Sequence, residues 1–160
     1  MWEGDAAGSN LITRLGWEAR VARAKDPPAK TYESAVMKLV DYLLFVDEAP
    51  MSEPIEGSSG FAAKFAALGP FDSKGRSLRQ LDLKTRLLKY PCSYVIYSEA
   101  FRSLPREART MVYERLWAVL SRRDNDRRYD SLTANDRKAT IEILYDTLKD
   151  LPEDLIPPSA

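Results

Sequence analysis

The stretch Thr31 to Asp47, "TYESAVMKLVDYLLFVD", constrains the fold more than any other. Tyr32, Ala35, Val36, Leu39, Val40, Leu43 and Leu44 recur at steps of three and four residues, which places them on one face of a helix. Glu33, Lys38 and Asp41 fall off that stripe. Thr31 supplies a cap. The spacing predicts a helix to about Asp47, buried along one side.

The same period runs through most of the chain. Leu11, Ile12, Leu15, Ala19 and Ala22 follow Ser9 or Asn10, either a good cap, and the prolines of "DPPAK" stop that helix. After the loop "EAPMSEPIEGSSG", Ser58 or Ser59 opens a short helix through Phe61, Phe65 and Leu68. Gly69 ends it, with Pro70 behind. Ser77 and Gln80 have capping-box spacing and predict a helix carrying Leu78, Leu81, Leu87 and Leu88, offset near Leu83 and broken by Pro91. "SYVIYS" is strand-like by composition but has no partner strand, so it reads as buried helix or extended connector. Ser103 before Leu104-Pro105 predicts the next helix, striped by Ala108, Met111, Val112, Leu116, Val119 and Leu120. Thr133 with Asp136 resembles a second capping box, ahead of Ile141, Leu144, Tyr145 and Leu148.

The expected architecture is therefore all-α: one domain, an irregular bundle of about six helices gathered around the second. Residues 1–9 form an N-terminal extension, 10–150 the helical domain, and 151–160 a proline-rich tail expected to fray. A chain of 160 residues buries enough surface to need no disulfide or metal for stability.

Composition closes several chemistries. There is no histidine and one cysteine, which excludes histidine-based nucleophilic sites, zinc on nitrogen and sulfur, and covalent haem. Acidic and basic residues balance at 24 each, so no overall field points to nucleic acid or an anionic membrane. No apolar run reaches the ~20 residues of a membrane span. "MWEGDAAGSN" lacks the basic-then-apolar order of a secretory leader, which leaves a cytosolic protein or a piece of something larger.

Each candidate site has a plainer alternative. Cys92 in "KYPCSYVIYS" has no histidine and only Lys89 nearby, so it reads as a packed apolar residue rather than a reactive thiol. Asp124, Asp126 and Asp130 follow a calcium-loop spacing. Arg128, Tyr129 and Asn135 then stand where a ligand, the turn glycine and the bidentate glutamate belong, so the segment reads as a self-paired loop with no metal. In "GPFDSKGRSLRQ", Lys74, Arg76, Ser77 and Arg79 bring basic residues to a predicted helix start. That suits an anion or a salt-bridge anchor to another segment; a solvated loop with a good cap is the plain reading. Asp41, Asp47, Glu48, Glu53 and Glu56 could serve a carboxylate-based hydrolase if two converged, against a solvated helix end and loop. Trp17, Trp117, Tyr90, Tyr94, Tyr97, Tyr113 and Phe101 read as core before they read as a groove.

The stretches "SNLITRLGWEARVA", "LVDYLLFVDEAP", "EGSSGFAAKFAALGPFDSKGRSLRQLDLKTRLLKYPCSYVIYSEAF" and "VYERLWAVLS" resemble the C-terminal region of large bacterial exported proteins with c-type cytochrome-like architecture. The resemblance runs from about Asn10 to Leu148. It implies the terminal helical portion of a longer, exported, periplasmic protein, an accessory domain whose haem would lie upstream; without it a cytoplasmic setting is expected. It carries over no catalytic residue.

These readings converge on an expectation: a non-catalytic helical scaffold or interaction domain, without cofactor, packing on a protein partner or on the remainder of a larger polypeptide. The alternatives are the cytochrome-like accessory domain, an anion-binding module at 69–80, and the hydrolase.

Overall fold

A computed structural model of the chain describes residues 10–17, 33–49, 51–54 and 60–157. Among these residues the fold is all-α, with no strand. Residues 10–17 are helical (α1). They are followed by α2 (Glu33–Leu43), α3 (Phe61–Ala67), α4 (Glu99–Arg102), α5 (Arg106–Leu120) and α6 (Ala134–Thr147). Two 3-10 turns, Tyr94–Tyr97 and Arg127–Tyr129, join them. No helix of the described residues is long and apolar enough to cross a membrane. The extension 1–9, the "DPPAK" stop, Ala19, Ala22, the Thr31 cap, Tyr32, Glu56, Ser58 and Ser59 lie outside the described residues.

The stripe of α2 behaves as its spacing demands. Ala35, Val36, Leu39, Val40 and Leu43 are buried and pack on α5. Each buried leucine adds about 1.5–3 kcal/mol over an exposed one. The hub, however, is α5 and not α2. It touches both α2 and α6, because Tyr113 and Trp117 widen its apolar stripe beyond one face.

α2 stops at Leu43, four residues before the predicted end. Val46 N donates to Asp41 O at 2.9 Å and Phe45 N to Tyr42 O at 3.1 Å, the paired bonds of a Schellman close. Phe45 sits at φ 55 where glycine is usual, so the sequence carries no signal for the stop. Gly69 ends α3 as predicted, at φ 59, with its N–H on Ala66 O.

The predicted helix over 77–90 does not form. Lys89 N donates to Gln80 O, Asp82 N to Leu87 O and Leu83 N to Arg86 O, with Leu83 at φ 61: the segment doubles back as a hairpin-like loop. Ser103 does not open α5 either. Its hydroxyl donates back to Ala100 O at 2.7 Å, closing α4, which Ser98 caps. Pro105 takes the N-cap of α5. "SYVIYS" becomes the buried 3-10 turn, capped by Ser93.

The second capping box is real. Thr133 Oγ accepts Asp136 N at 3.0 Å, and Asp136 accepts Thr133 N at 3.1 Å. α6 buries Arg137, Thr140, Ile141, Ile143 and Leu144, whereas Tyr145, expected inside, is exposed. The tail does not fray at 151. Leu155 is buried, and Trp117 Nε1, a donor that needs an acceptor inside the core, reaches Ile156 O at 3.2 Å. Leu155 and the Ile156 backbone of the expected tail thus pack on the helical body.

Candidate functional site

The loop 71–76 is organised by one carboxylate. Asp72 has a fully buried side chain and accepts from Lys74 N at 3.0 Å, Arg76 N at 2.7 Å and Arg76 Nε at 2.7 Å. Its neighbours then turn to α6. Arg76 Nη2 lies 2.7 Å from Glu142 Oε2, and Lys74 Nζ lies 2.8 Å from the same oxygen. Asp146, one turn on, accepts Ser73 N and Ser73 Oγ at 2.8 and 2.7 Å. The Lys74 and Arg76 contacts hold the Glu142 carboxyl below its usual range. Burial works against the Arg76 charge, but Glu142 and Asp72 outweigh it and raise the guanidinium.

The four residues proposed to hold an anion therefore face three ways. Lys74 and Arg76 serve as a salt-bridge anchor to α6. Ser77 is fully buried and its Oγ accepts Arg79 N at 3.2 Å. Arg79 donates to Gly69 O at 2.9 Å and lies 5.1 and 4.6 Å from the ring centres of Phe65 and Tyr94. The helix start that would have offered free N–H groups is absent from 77–80.

Among the described acidic residues, Asp47 and Glu48 line one cavity that Asp41 does not line. Asp41 accepts Tyr129 Oη at 2.6 Å and pairs with Arg128 at 3.0 Å. Burial, aided by Asp41, pushes the Tyr129 phenol up to about 12. Asp47 and Glu48 line a separate cavity of about 490 Å³, opposite Arg86, Arg127 and Arg128. Glu53 is exposed. Asp124 pairs with Arg115 and Asp126 with Arg128, so the calcium-like spacing serves to pin the loop. Among the described residues no cluster of three carboxylates or thiols could hold a metal ion. Cys92 is fully buried, and burial pushes its thiol up to about 12.

What the spacing did not reveal is the character of α3. This helix buries none of its residues. Phe61 is 62% exposed, Leu68 69% and Phe71 50%. Phe61 stacks on Phe65 at 5.7 Å, and Phe65 meets the Tyr94 ring edge-on at 5.2 Å. One aromatic ladder thus ties an otherwise outlying helix to the body, with the Arg79 guanidinium against its inner rungs. The outer rung, Phe61, and Leu68 about two turns further on stand in solvent. The visible signal was the pair Phe61 and Phe65 in a helix too short to reach the core by itself.

Compared with known proteins, the chain matches no family model, no curated protein and no solved structure.

Proposed function

We propose that the protein is a non-catalytic helical interaction domain, docking through the ridge of Phe61, Leu68 and Phe71 onto a protein surface, in a separate chain or in the remainder of a longer polypeptide. One observation carries this reading: Phe61 on α3 and Leu68 at its C-cap stand in solvent, with the Phe61 ring held by stacking on Phe65. Aromatic residues fixed by their own packing lose little freedom on binding, which is why they dominate interface cores. The resemblance to exported cytochrome-like proteins adds a narrower proposal, that the surface covered belongs to the upstream part of such a polypeptide.

The test is to purify the protein from its native cells as wild type and as Phe61→Ser/Leu68→Ser/Phe71→Ser, and to compare mass in solution. The expected result is a stoichiometric complex in the wild type, absent from the triple variant. The variant should stay folded and lose no more than about 0.5–1.5 kcal/mol, the value of the Phe61 stack on Phe65, since the three side chains are largely exposed. A wild-type protein that runs alone, or a triple variant that keeps its partner, overturns the reading.

A further inference from the structure

A second cavity, of about 510 Å³, opens where the end of α4, the start of α5 and the end of α6 meet. Its volume lies in the range of small-molecule sites, about 300–1,000 Å³. The wall is apolar: Pro70, Ile96, Leu148 and the bodies of Tyr97 and Tyr113. Its charges are unbalanced. Arg102, Arg109 and Lys149 line it against the single carboxylate of Asp150.

That carboxylate is engaged from inside. Tyr113 Oη donates to Asp150 Oδ1 at 2.9 Å, and Arg109 Nε lies 3.3 Å from Asp150 Oδ2, an ion pair short of hydrogen-bond geometry. Arg109 also donates to the carbonyl of Arg102. The Arg102 guanidinium and the Lys149 ammonium, by contrast, have no partner among the described residues. The two phenols have no proton to offer. Thr147 Oγ1 donates to Ile143 O at 2.6 Å, so in the 2.6 Å contact between Tyr97 and Thr147 the phenol is the donor. Tyr113 donates to Asp150. What the cavity presents to a guest is therefore cationic N–H groups at its polar side, phenol oxygens that only accept, and an apolar wall.

We infer that this cavity binds a small organic anion, a carboxylate or phosphate monoester on an apolar body of about one aromatic ring. A bare inorganic anion would satisfy the cations but leave the wall wet. A neutral ring would fill the wall but leave Arg102 and Lys149 without a counter-charge. The site shares no residue with the α3 ridge, and the experiment on it needs no partner protein.

Purified protein is titrated calorimetrically at low salt with phenyl phosphate and with phenylacetate, and in parallel with inorganic phosphate and benzyl alcohol. Binding is expected from one or both organic anions, tighter than from either control. In Arg102→Gln/Lys149→Gln affinity should fall about tenfold or more, because each charge-assisted hydrogen bond is worth that order. Both side chains are exposed and hold nothing else, so the melting temperature of the unliganded variant should match wild type. A phosphate preference would assign the site to phosphate esters, a carboxylate preference to organic acids. Three results would overturn the inference: no binding of either organic anion, equal affinity in wild type and double variant, or inorganic phosphate binding as tightly as phenyl phosphate.

Discussion

Two stretches of this chain share one spacing and fold differently. Thr133-Ala-Asn-Asp136 opens α6 with a complete capping box. Ser77-Leu-Arg-Gln80 opens nothing: Ser77 turns inward and the backbone reverses at Leu83. Three differences separate them. Asp136 places a negative charge at the positive helix end, whereas Arg79 would place a cation there. Behind Asp136 fifteen residues run to the first proline, Pro152; behind Gln80 only ten run to Pro91, and among them the Asp82 carboxylate takes the Thr85 hydroxyl at 2.6 Å and closes a local turn. Finally, α6 has a core to join, while 71–89 is held from outside by α6 itself: Asp136 takes Arg86 at 2.6 Å, Glu142 takes Lys74 and Arg76, and Asp146 takes Ser73. A cap selects where a helix begins only when the run behind it is free to be one.

The sharpest way to break this comparison is to ask whether its cap alone keeps α6 in place. Arg137, one residue past the box, is buried. It donates to Tyr129 O at 2.7 Å, Leu132 O at 3.2 Å and Val119 O, tying the start of α6 to the end of α5. Arg137→Met keeps much of the stem's packing but takes the guanidinium from three carbonyls: Val119 O and Tyr129 O keep the backbone donors Arg122 N and Leu132 N, each at 3.1 Å, and Leu132 O is left without its donor. One orphaned buried acceptor costs about 1–3 kcal/mol and two charge-assisted bonds are lost with it, so a loss of about 3 kcal/mol in urea unfolding is expected. A loss below about 1 kcal/mol would mean that water replaces the guanidinium and the cap suffices.

The failed box offers a test whose sign differs between the two arrangements. Gln80 Oε1 is buried and has no hydrogen-bond partner. In a working capping box Gln80→Glu would be neutral or stabilising. In the observed loop it buries a carboxylate without a donor, at a cost of about 2 kcal/mol at neutral pH. Such an acid would titrate higher folded than unfolded, so the penalty should vanish below about pH 4 and grow as pH rises. Thr133→Ala, removing the real cap, should cost about 1 kcal/mol at any pH. Gln80→Glu with unchanged stability at pH 7 would show that 77–80 is helical after all.

The comparison also marks where sequence reading runs out. The α2 stripe, the α3 stop at Gly69 and the Thr133 box were legible because each depends on neighbours within a turn or two. The close of α2 was not, because Phe45 holds a left-handed conformation without the glycine that would announce it. Arg137 was not, because nothing in "NDRKAT" says that one arginine meets three carbonyls. The loop 71–76 was half legible: its cations were visible, and an anchor was one of the readings weighed, but Glu142 stands 66 residues from Arg76. The cavity at Arg102, Arg109 and Lys149 left no trace at all. It is assembled from the ends of three helices, and no local period links helix ends.

The smallest expected effect concerns that anchor. Glu142→Gln keeps the size of the side chain and removes the charge that Lys74 and Arg76 share. Lys74 is well exposed and its part is screened by solvent, so a loss of about 1 kcal/mol at pH 7 is expected, chiefly through the better-shielded Arg76. The pH dependence identifies the cause. The carboxyl of Glu142 titrates lower folded than unfolded, so its contribution is full above the unfolded value, about 4.3, and fades as pH falls through the depressed folded one. Wild type and variant should therefore differ most from pH 7 down to about 5 and draw together below about 4. Asp136 and Asp146, also held low by their contacts, keep some acid sensitivity in the variant. Stability curves that stay parallel from pH 7 to pH 3 would mean that the amide replaces the carboxylate without loss of charge pairing. The hold of α6 on the 71–76 loop would then rest on Asp146 and Ser73.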